Sequence, residues 1–367
     1  MQRKFDIKKI ARNAFLVVRR ALLVIFTTVL LALLALIFVC NMVFNGPSET
    51  ARNVLTMSML ESSAMKWCPA MFIGKDTVAQ IQAADAMPLP EDISDASGVV
   101  INTDLMNTVT DEWKDYPDGI RIERVYGDTY TAHVMLVRNP ADVYLATSTD
   151  RFSTSIPGTR INNEIETEGA IAAINGGAFN DDGTINAYVG SLPIGLTVSK
   201  GEIVWDDGQS YWGFAGFNED NVLIVANTMS AKQAKELKIR DGCCFGPVLL
   251  MNGVVNDSQF SRNSGYNPRT AIGQRSDGTV IFVCIDGRQA GSLGGTYADI
   301  INIMVEFGAV NACNLDGGAS SVMLYRDTYG RYTEPGEVAM INNHALLQEA
   351  PRKMPTFFMV RPAGGDS

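Results

Sequence analysis

The sequence predicts an α+β fold, a mixed β-sheet core with flanking helices, preceded by one N-terminal transmembrane helix. Three observations predict it. Residues 21–40 form one apolar run, ALLVIFTTVLLALLALIFVC. From about residue 118, short β-branched and aromatic runs alternate with Gly, Asn and Asp turns, which is typical of successive strands. One well-specified amphipathic helix, residues 296–308, lies among these runs, so strands outnumber helices.

The apolar run is long enough to cross a membrane. At about 1.5 Å per residue it spans roughly 30 Å, the thickness of a bilayer core. The residues before it include seven basic side chains and one acidic side chain. By the positive-inside rule we expect a cytoplasmic basic tail at 1–20, a bilayer-contacting helix at 21–44, and the remainder outside the cytoplasm of a single-pass cell-membrane protein. A cleaved signal peptide is the alternative, but its apolar region is normally shorter, about 7–15 residues.

Beyond the basic tail the chain is acidic. The whole sequence has 30 basic and 40 acidic residues, and the part after residue 20 keeps 23 basic and 39 acidic, a net charge of −16. Such a charge repels nucleic acid, so we expect no nucleic-acid partner, and an anionic substrate needs a local basic pocket. The sequence defines no oligomeric state.

The cysteines predict no disulfide scaffold. There are six of them, irregularly spaced and without a C-x-x-C metal pattern. Cys284 and Cys313 lie inside apolar runs, and Cys243 and Cys244 flank a glycine turn. We expect these four to be free, buried thiols.

The composition divides the chain further. Residues 45–117 are predicted to be a membrane-proximal stalk or linker, partly helical, because a Met- and Ser-rich stretch is followed by the spacer-like MPLPEDISDAS. Residues 118–367 have the length of one large domain. Within it, Thr296 and Asp299 form a capping-box pattern that begins the amphipathic helix, and Gly308 ends it. A second, short helix is expected around residues 231–237.

Three apolar runs end in a polar residue and a glycine turn, and these turns are the candidate site. The run 170–174 leads into NGGAFN at 175–180, 280–285 leads into DGR at 286–288, and 309–315 leads into DGGASS at 316–321. Such runs suit strands buried on both faces. Either the turns line a shared pocket, or Asn-Gly and Asp-Gly are simply turn residues.

The side chains near these turns suit phosphate. In DGGASS the glycine amides and the hydroxyls of Ser320 and Ser321 are suitable donors to phosphate oxygens. Arg269, in NPRTAIG, is either a bidentate phosphate ligand or the partner of a carboxylate, and Arg288 has the same two interpretations.

Several enzyme classes lack their motifs. The sequence contains no GxxxxGK[ST], no HExxH and no GxSxG. Of its two histidines, His133 alternates with apolar residues and is interpreted as a satisfied strand residue, whereas His344, near polar residues, is a weak site candidate.

Six motifs, in their order along the chain, resemble those of the phosphodiester glycosidase family. This family includes bacterial proteins described as exopolysaccharide-biosynthesis related. The resemblance covers about residues 120–362 and is carried by NGGAFN (175–180), PIGLTVSKGEIV (193–204), FGPVLLMNGVV (245–255), NPRTAIG (267–273), DGR (286–288) and NLDGGASS (314–321). It implies a hydrolase that cleaves the bond between a sugar's anomeric carbon and a phosphodiester, with a phosphate-linked carbohydrate as substrate. Because the predicted membrane helix places the domain outside the cytoplasm, we expect that substrate to be a cell-envelope or secreted glycan. Where the family usually has a third glycine, this chain has Ala319.

The resemblance suggests roles for the candidate residues. Glycoside cleavage usually uses two carboxyl groups, and a phosphate leaving group is stabilised by cationic and hydrogen-bonding donors. The predicted catalytic residues are Asp316, Asp286 and Arg269. The predicted substrate-binding residues are Asn175, Gly176, Gly177, Asn180, Arg288, Asn314, Gly317, Gly318, Ser320 and Ser321.

Two alternatives stay open at this point. The same carboxylates could hold Ca²⁺ or Mg²⁺, although the spacing defines no coordination set and the sequence requires no cofactor. The same pocket could also belong to a non-catalytic glycan-binding or exopolysaccharide-assembly protein, which Ala319 favours.

Overall fold

The structure is a computed structural model that describes residues 7–60, 65–83, 93–101, 110–180, 189–208, 213–260, 264–343 and 350–362. The helices of these residues are α1 (Ile7–Phe44), α2 (Glu49–Leu60), α3 (Cys68–Ala83), α4 (Ile161–Glu168), α5 (Ala231–Glu236), α6 (Asp257–Phe260) and α7 (Tyr297–Glu306). The strands are β1 (Ile120–Tyr126), β2 (Thr131–Val137), β3 (Val143–Thr147), β4 (Thr159–Arg160), β5 (Ala172–Asn175), β6 (Leu196–Ser199), β7 (Glu202–Asp206), β8 (Phe214–Asn218), β9 (Leu223–Ala226), β10 (Ile239–Cys244), β11 (Val248–Met251), β12 (Val254–Val255), β13 (Arg269–Arg275), β14 (Val280–Ile285), β15 (Ala309–Leu315), β16 (Met323–Arg326), β17 (Val338–Met340), β18 (Lys353–Met354) and β19 (Thr356–Val360). This composition confirms the predicted α+β class.

A long N-terminal helix is present, as predicted, and it begins before the predicted 21–44, at Ile7. Within α1, the 30-residue segment Phe15–Phe44 is long and apolar enough to cross a membrane, and its most apolar window is not buried against the rest of the described chain. A helix with apolar side chains on all sides is stable only in an apolar environment.

The strands form three main sheets. A seven-stranded sheet has the order β1-β2-β14-β13-β15-β11-β12. Two five-stranded sheets have the orders β17-β16-β5-β19-β3 and β7-β6-β10-β8-β9, and β4 pairs with β18. Neighbouring strands are antiparallel throughout.

The sheets enclose a central core and carry helices outside. One face of the seven-stranded sheet contributes Met135, Phe282 and Cys284 to the core, where they join residues such as Ile174 and Phe358 of a five-stranded sheet. The other face packs on α7, and α4 covers the outer face of the β5-β19-β3 region. Both sheets are therefore buried on two faces, as the continuous apolar runs predicted.

The predicted local features are present. Thr296 and Asp299 form a reciprocal capping box at the start of α7, and α5 begins with a similar box at Ser230. All six cysteines are free, and Cys243, Cys244, Cys284 and Cys313 are buried, as expected.

Parts of the predicted stalk contact the sheets. Ile93 forms a bridge with Ala226, and Val100 donates its N–H to the Ser276 carbonyl at 2.8 Å. Trp113 is buried in the α7-side core. The predicted domain boundary at residue 118 stays a prediction. Residues on its N-terminal side contact the sheets of the domain.

Candidate functional site

The predicted turns meet at one end of the seven-stranded sheet. Arg269, the first residue of β13, pairs with Ile285, the last residue of β14, and Thr270 pairs with Leu315, the last residue of β15. The DGR and DGGASS turns and the NPR segment therefore leave the sheet side by side. This convergence is the geometry expected of a shared site.

The NGG turn reaches the same place from the second sheet. The side-chain amide of Asn175, at the end of β5, donates to the Asp316 carbonyl at 2.7 Å. In return, the Asp316 N–H donates to the Gly176 carbonyl at 3.2 Å. Two sheets are thus joined at the DGGASS turn, which fixes its position.

Pro268 lies between two of the turns. A Cβ on Gly287 would lie 2.6 Å from the Pro268 nitrogen, and one on Gly317 would lie 2.8 Å from its carbonyl oxygen. The Gly318 N–H donates to that same oxygen at 2.9 Å. These glycines are needed for close packing, and Gly318 also has a left-handed φ of 63°.

Asp286 is a buried carboxylate with donors on both oxygens. It is 2% exposed. Asn343 donates its backbone N–H to Oδ1 at 2.8 Å and its Nδ2 to Oδ2 at 2.7 Å. The His133 Nε2 lies 3.3 Å from Oδ2. Burial raises the pKa of Asp286, but the hydrogen bonds from His133 and Asn343 outweigh it and hold the pKa below its ordinary value.

His133 and Asn343 are residues that the sequence did not assign to the site. His133 was interpreted as a satisfied strand residue, and it is indeed buried, but its partner is a predicted catalytic carboxylate. The signal was a lone polar residue in an apolar strand, whose partner became visible only when β2 paired with β14. His344, the other candidate, lies outside the described residues.

Asp316 is half-buried, and its carboxylate turns back on its own loop. Its Oδ1 accepts the Gly317 N–H at 2.9 Å. The two amides expected to bind phosphate, those of Gly317 and Gly318, therefore both donate within the protein, to Asp316 and to Pro268. A ligand that binds at this turn therefore has to accept hydrogen bonds from donors other than these two amides.

The Arg288 guanidinium lies beside that turn. Its two terminal nitrogens lie 3.5 Å from the position of a Cβ on Gly318, an ordinary van der Waals distance. Its Nη2 donates to Asn267 Oδ1 at 3.0 Å. The backbone of Arg288 has a left-handed φ of 57°, a strained conformation that occurs often at binding sites.

Arg269 occupies a different position from the one expected of a phosphate ligand. Its side chain stacks over the ring of Tyr297, with 4.4 Å from Cζ to the ring centroid, on the α7 side of the sheet. Its Nε donates to the Gly295 carbonyl at 3.1 Å, and its Nη2 donates to the carbonyls of Ser264 and Gly265 at 2.8 and 3.1 Å. It is 4% exposed and holds two loops together.

Three buried polar atoms near the turn lack a hydrogen-bond partner within the described part of the chain. They are Ser320 Oγ, Ser321 Oγ and Asn314 Oδ1. All three side chains are at least nine-tenths buried. Because burying an unsatisfied polar atom is costly, these three atoms favour the binding of a polar group at the turn.

The residues of the NGG turn mainly connect neighbouring segments of the protein. Both functional groups of the Asn175 side chain are bonded within the protein, since its Oδ1 also accepts from Thr270 Oγ1 at 2.8 Å. A Cβ on Gly176 would lie 2.5 Å from Thr356 Oγ1, and one on Gly177 would lie 2.5 Å from the Cys244 carbonyl oxygen. Asn180 is half-buried, at the last described position before residue 189.

The predicted carboxylates do not form a ready metal site. Among the described residues there is no group of three or more His, Cys, Asp or Glu side chains placed to hold a metal ion. Both Asp286 oxygens face N–H donors, which a cation would have to displace. The described carboxylates therefore form no ready cluster of ligands for Ca²⁺ or Mg²⁺.

Ala319 does not disturb the backbone of its turn. It is the middle residue of a 3₁₀ turn, Gly318–Ser320, and the left-handed residue of that turn is Gly318. The family's third glycine is therefore not required by the backbone conformation here.

Comparisons with known proteins agree with this fold. The structure resembles the catalytic domain of zebrafish N-acetylglucosamine-1-phosphodiester alpha-N-acetylglucosaminidase, auto-inhibited by its pro-peptide, with a TM-score of 0.52, 18% identity, and coverage of 68% of this chain and 85% of that chain. A hypothetical protein from Synechocystis matches with a TM-score of 0.44 and 15% identity over 66% of this chain and 62% of that chain.

Sequence comparisons identify a relative and a family. The SPbeta prophage-derived uncharacterized protein YomE of Bacillus subtilis is 29% identical over 160 residues, which are 41% of this chain and 24% of that protein. The chain thus spans about a quarter of the length of this curated relative. The phosphodiester glycosidase family profile matches residues 168–361, more than half of the chain and every predicted site residue. This chain is therefore a member of the phosphodiester glycosidase family.

Proposed function

We propose that this chain is a membrane-anchored hydrolase that cleaves sugar-1-phosphodiester bonds in a cell-envelope or secreted glycan outside the cytoplasm. The observation that carries the proposal is the meeting of Asp316, Arg288 and the unpartnered serine hydroxyls at one glycine-rich turn. Family membership supports the reaction, and the long apolar helix with its basic tail supports the location.

Asp316 is the proposed carboxylate of the reaction. It is half-buried, whereas Asp286 is almost fully enclosed. Water attacks the anomeric carbon, and its proton passes to Asp316. The bond from the anomeric carbon to the phosphodiester oxygen breaks, and the phosphate keeps the electron pair. A carboxylate beside an oxocarbenium-like carbon also stabilises the positive charge that develops there.

Arg288 and the serine hydroxyls are the proposed phosphate ligands. A guanidinium binds two phosphate oxygens in parallel, and buried hydroxyls strengthen this binding because little solvent competes. Phosphate is a stable anion, so donors that neutralise its charge replace much of the work of a general acid. Arg269, whose donors face backbone carbonyls, is proposed to position the loop that carries Asn267.

Asp286 is proposed to be a positioning residue. Its carboxylate joins β2, through His133, to the segment at Asn343, and its backbone carbonyl accepts the Ser292 hydroxyl at 2.6 Å. The turn that carries Arg288 is thereby held in place.

Sugar release by the full-length chain in detergent tests the proposal. Nucleotide sugars serve as probes because each has a sugar joined through its anomeric oxygen to a phosphate that carries a second substituent. We expect Asp316→Asn and Arg288→Gln each to lower kcat/KM by about 100-fold or more, the usual cost of losing a group that contacts the transition state. Asp220→Asn, at an exposed position, is the matched control and should release sugar at the native rate.

Two results would contradict the proposal. Native turnover in both site variants would exclude this assignment of the site. Saturable glycan binding without release, over a broad panel of sugars, would instead support the non-catalytic glycan-binding interpretation.

A further inference from the structure

The two helices after α1 fold against its last turn. Phe44 is fully buried and stacks on Phe72 of α3, with 5.0 Å between ring centroids. Met59 of α2 and Cys68 of α3 are buried in the same cluster, and Cys40 packs against it. Since Cys40 ends the apolar run, the end of α2 and the start of α3 lie at the level where the proposed membrane helix leaves the bilayer.

Large apolar side chains are exposed at this level. Met65, Trp67 and Met71 are 42%, 62% and 69% exposed, and they surround Cys68 in the sequence. Lys66, between the first two, is also exposed. Tryptophan and lysine are typical of the membrane interface, where an apolar ring and a cationic head both find partners. We call Met65, Trp67 and Met71 the apolar surface.

Helix α2 also contacts a loop of the candidate site. Tyr266 donates its N–H to Ser58 Oγ of α2 at 3.0 Å, and a Cβ on Gly265 would lie 2.4 Å from that oxygen. Ser58 is the neighbour of Met59, which lies in the cluster around Phe44. The loop is therefore about one helix diameter, roughly 10 Å, from the last turn of α1.

Arg288 lies a short distance beyond this loop. Asn267 lies two residues after Gly265, and its Oδ1 accepts a hydrogen bond from Arg288 Nη2 at 3.0 Å. Two residues of extended chain span about 7 Å. The proposed phosphate ligand therefore lies within roughly 20 Å of the bilayer boundary, held there by packed helices rather than by a flexible linker.

We propose that the apolar surface enters the headgroup region of the outer leaflet and that the pocket thereby acts on sugar-1-phosphodiesters carried by a lipid. The inference rests on the proposed hydrolase function and specifies its substrate class. The occupant is a lipid bilayer, because the apolar surface continues the apolar helix α1 at its exit point. A lipid-borne substrate confined to the same bilayer is also concentrated at the height of Arg288.

Trp67 reports the membrane contact directly. The full-length chain is placed in vesicles of phosphatidylcholine and phosphatidylglycerol, with and without bromine on the upper part of the acyl chains. The emission of Trp67 is taken as the difference between the native chain and Trp67→Phe. We expect brominated lipid to quench this difference by about half or more, as for interfacial tryptophan. Unquenched emission would overturn the proposed contact.

Turnover in the same vesicles tests the substrate class. The probes are one sugar-1-phosphodiester attached to a long-chain lipid and the same sugar attached through phosphate to methanol. We expect the lipid-borne probe to be cleaved with at least about tenfold higher kcat/KM, because both partners share one surface. In the double variant Trp67→Ser and Met71→Ser, we expect the ratio of kcat/KM for the lipid-borne probe to that for the soluble probe to fall about five- to tenfold. Cleavage of the soluble probe should be unchanged.

The two probes, a control variant and the quenching measurement together distinguish failure of the membrane contact, of the substrate class and of the hydrolase function. Val305→Ser, an exposed apolar position on α7, is the control and should keep the preference. Cleavage of both probes at equal rates would overturn the lipid-borne substrate and leave the hydrolase intact. No release from either probe would overturn the hydrolase function and the substrate class together, while the quenching result would still decide the membrane contact.

Discussion

At the residue scale, the candidate site contains a buried carboxylate, Asp286, whose neighbours lower its pKa. Asp286 is enclosed by protein, and in such a position burial favours the neutral acid. The donors on His133 and Asn343 reverse this effect and lower the pKa. An ionised Asp286 accepts two hydrogen bonds from Asn343 and holds that segment in place.

Removing one donor should weaken this arrangement. Asn343→Ala deletes the Nδ2 that donates to Asp286 Oδ2 at 2.7 Å. We expect the free energy of unfolding at pH 7 to fall by about 1–2 kcal/mol, the usual loss for a hydrogen bond to a buried charged group. Urea denaturation at pH 7 and at lower pH measures this difference.

The pH dependence follows from the lowered pKa. A carboxylate with a lowered pKa stabilises the fold above its unfolded pKa of about 4, and this contribution is lost as the pH falls through the folded value. The difference between Asn343→Ala and the native chain should therefore shrink on acidification. Asn163→Ala, exposed on α4, is the control. An effect of equal size at all pH values would show that the lost amide acts by packing alone.

At the element scale, strand alternation determines which predicted residues share the pocket. His133 and Cys284 are paired on the core face of the seven-stranded sheet, and Asp286 follows Cys284 by two positions. Arg269 pairs with Ile285, whose side chain lies on the α7 face. Because successive side chains of a strand point to opposite faces, Arg269 and Asp286 are separated by the sheet.

Helix α4 contains a second perturbed carboxyl. Glu164 is 8% exposed, next to Ile165 on the face that packs against the sheet. Burial, and then the charge of Glu168, raise the pKa of Glu164 to about 7. The fold therefore accepts the neutral acid more readily than the anion.

Replacing Glu164 by glutamine should stabilise the protein at alkaline pH. A raised pKa means that the anion destabilises the fold, increasingly as the pH rises from about 4.5 to 7 and constantly above that. We expect Glu164→Gln to raise the free energy of unfolding by about 1–2 kcal/mol at pH 8 and to change it little at pH 5. Thermal unfolding at both pH values measures the effect. Glu202→Gln, an exposed control, should change neither value, and a Glu164→Gln protein that is less stable at pH 8 would contradict the assignment.

At the scale of the whole molecule, several thiols are buried between the packed β-sheets. Cys243, Cys284 and Cys313 line the central core, and Cys244 lies in the neighbouring cluster. Burial is the largest cause that raises the pKa of each thiol, to about 12 for Cys244. Thiolates are the reactive species, so these thiols should be inert while the layers stay packed.

Thiol labelling tests how well the layers close. In the native chain at pH 8, maleimide labelling followed by peptide mass spectrometry should leave these four cysteines unmodified for hours. In denaturant all four should react within minutes, which also serves as the control for reagent activity. Rapid native labelling at any one of them would show that the layers open more readily than their packing indicates.

The sequence was sufficient for elements whose signals are local. The apolar length of α1, the capping box of α7 and the buried runs of β14 and β15 each depend on residues close together in the chain, and each is present. The strand-end turns were also recognisable, because glycine next to Asn or Asp has a direct conformational cause.

The partners of the site residues could not be read in the same way. The Asn343 and His133 contacts of Asp286, and the Pro268 contact that uses the Gly318 amide, join segments far apart in the sequence. A single sequence does not specify which strand pairs with which, so the face on which a polar side chain lies is undetermined.

By itself, then, the sequence determined the membrane-length helix, the α+β class, the family and the set of turns that form the candidate site. Only the tertiary structure decided how the turns are used: it placed Arg288 rather than Arg269 beside Gly318, enclosed Asp286 with His133, and brought α2 against the loop at Gly265. The physical reason is that helix, turn and apolar periodicity are set by neighbouring residues, whereas hydrogen-bond partners, burial and pKa are set by strands and loops that meet only after folding.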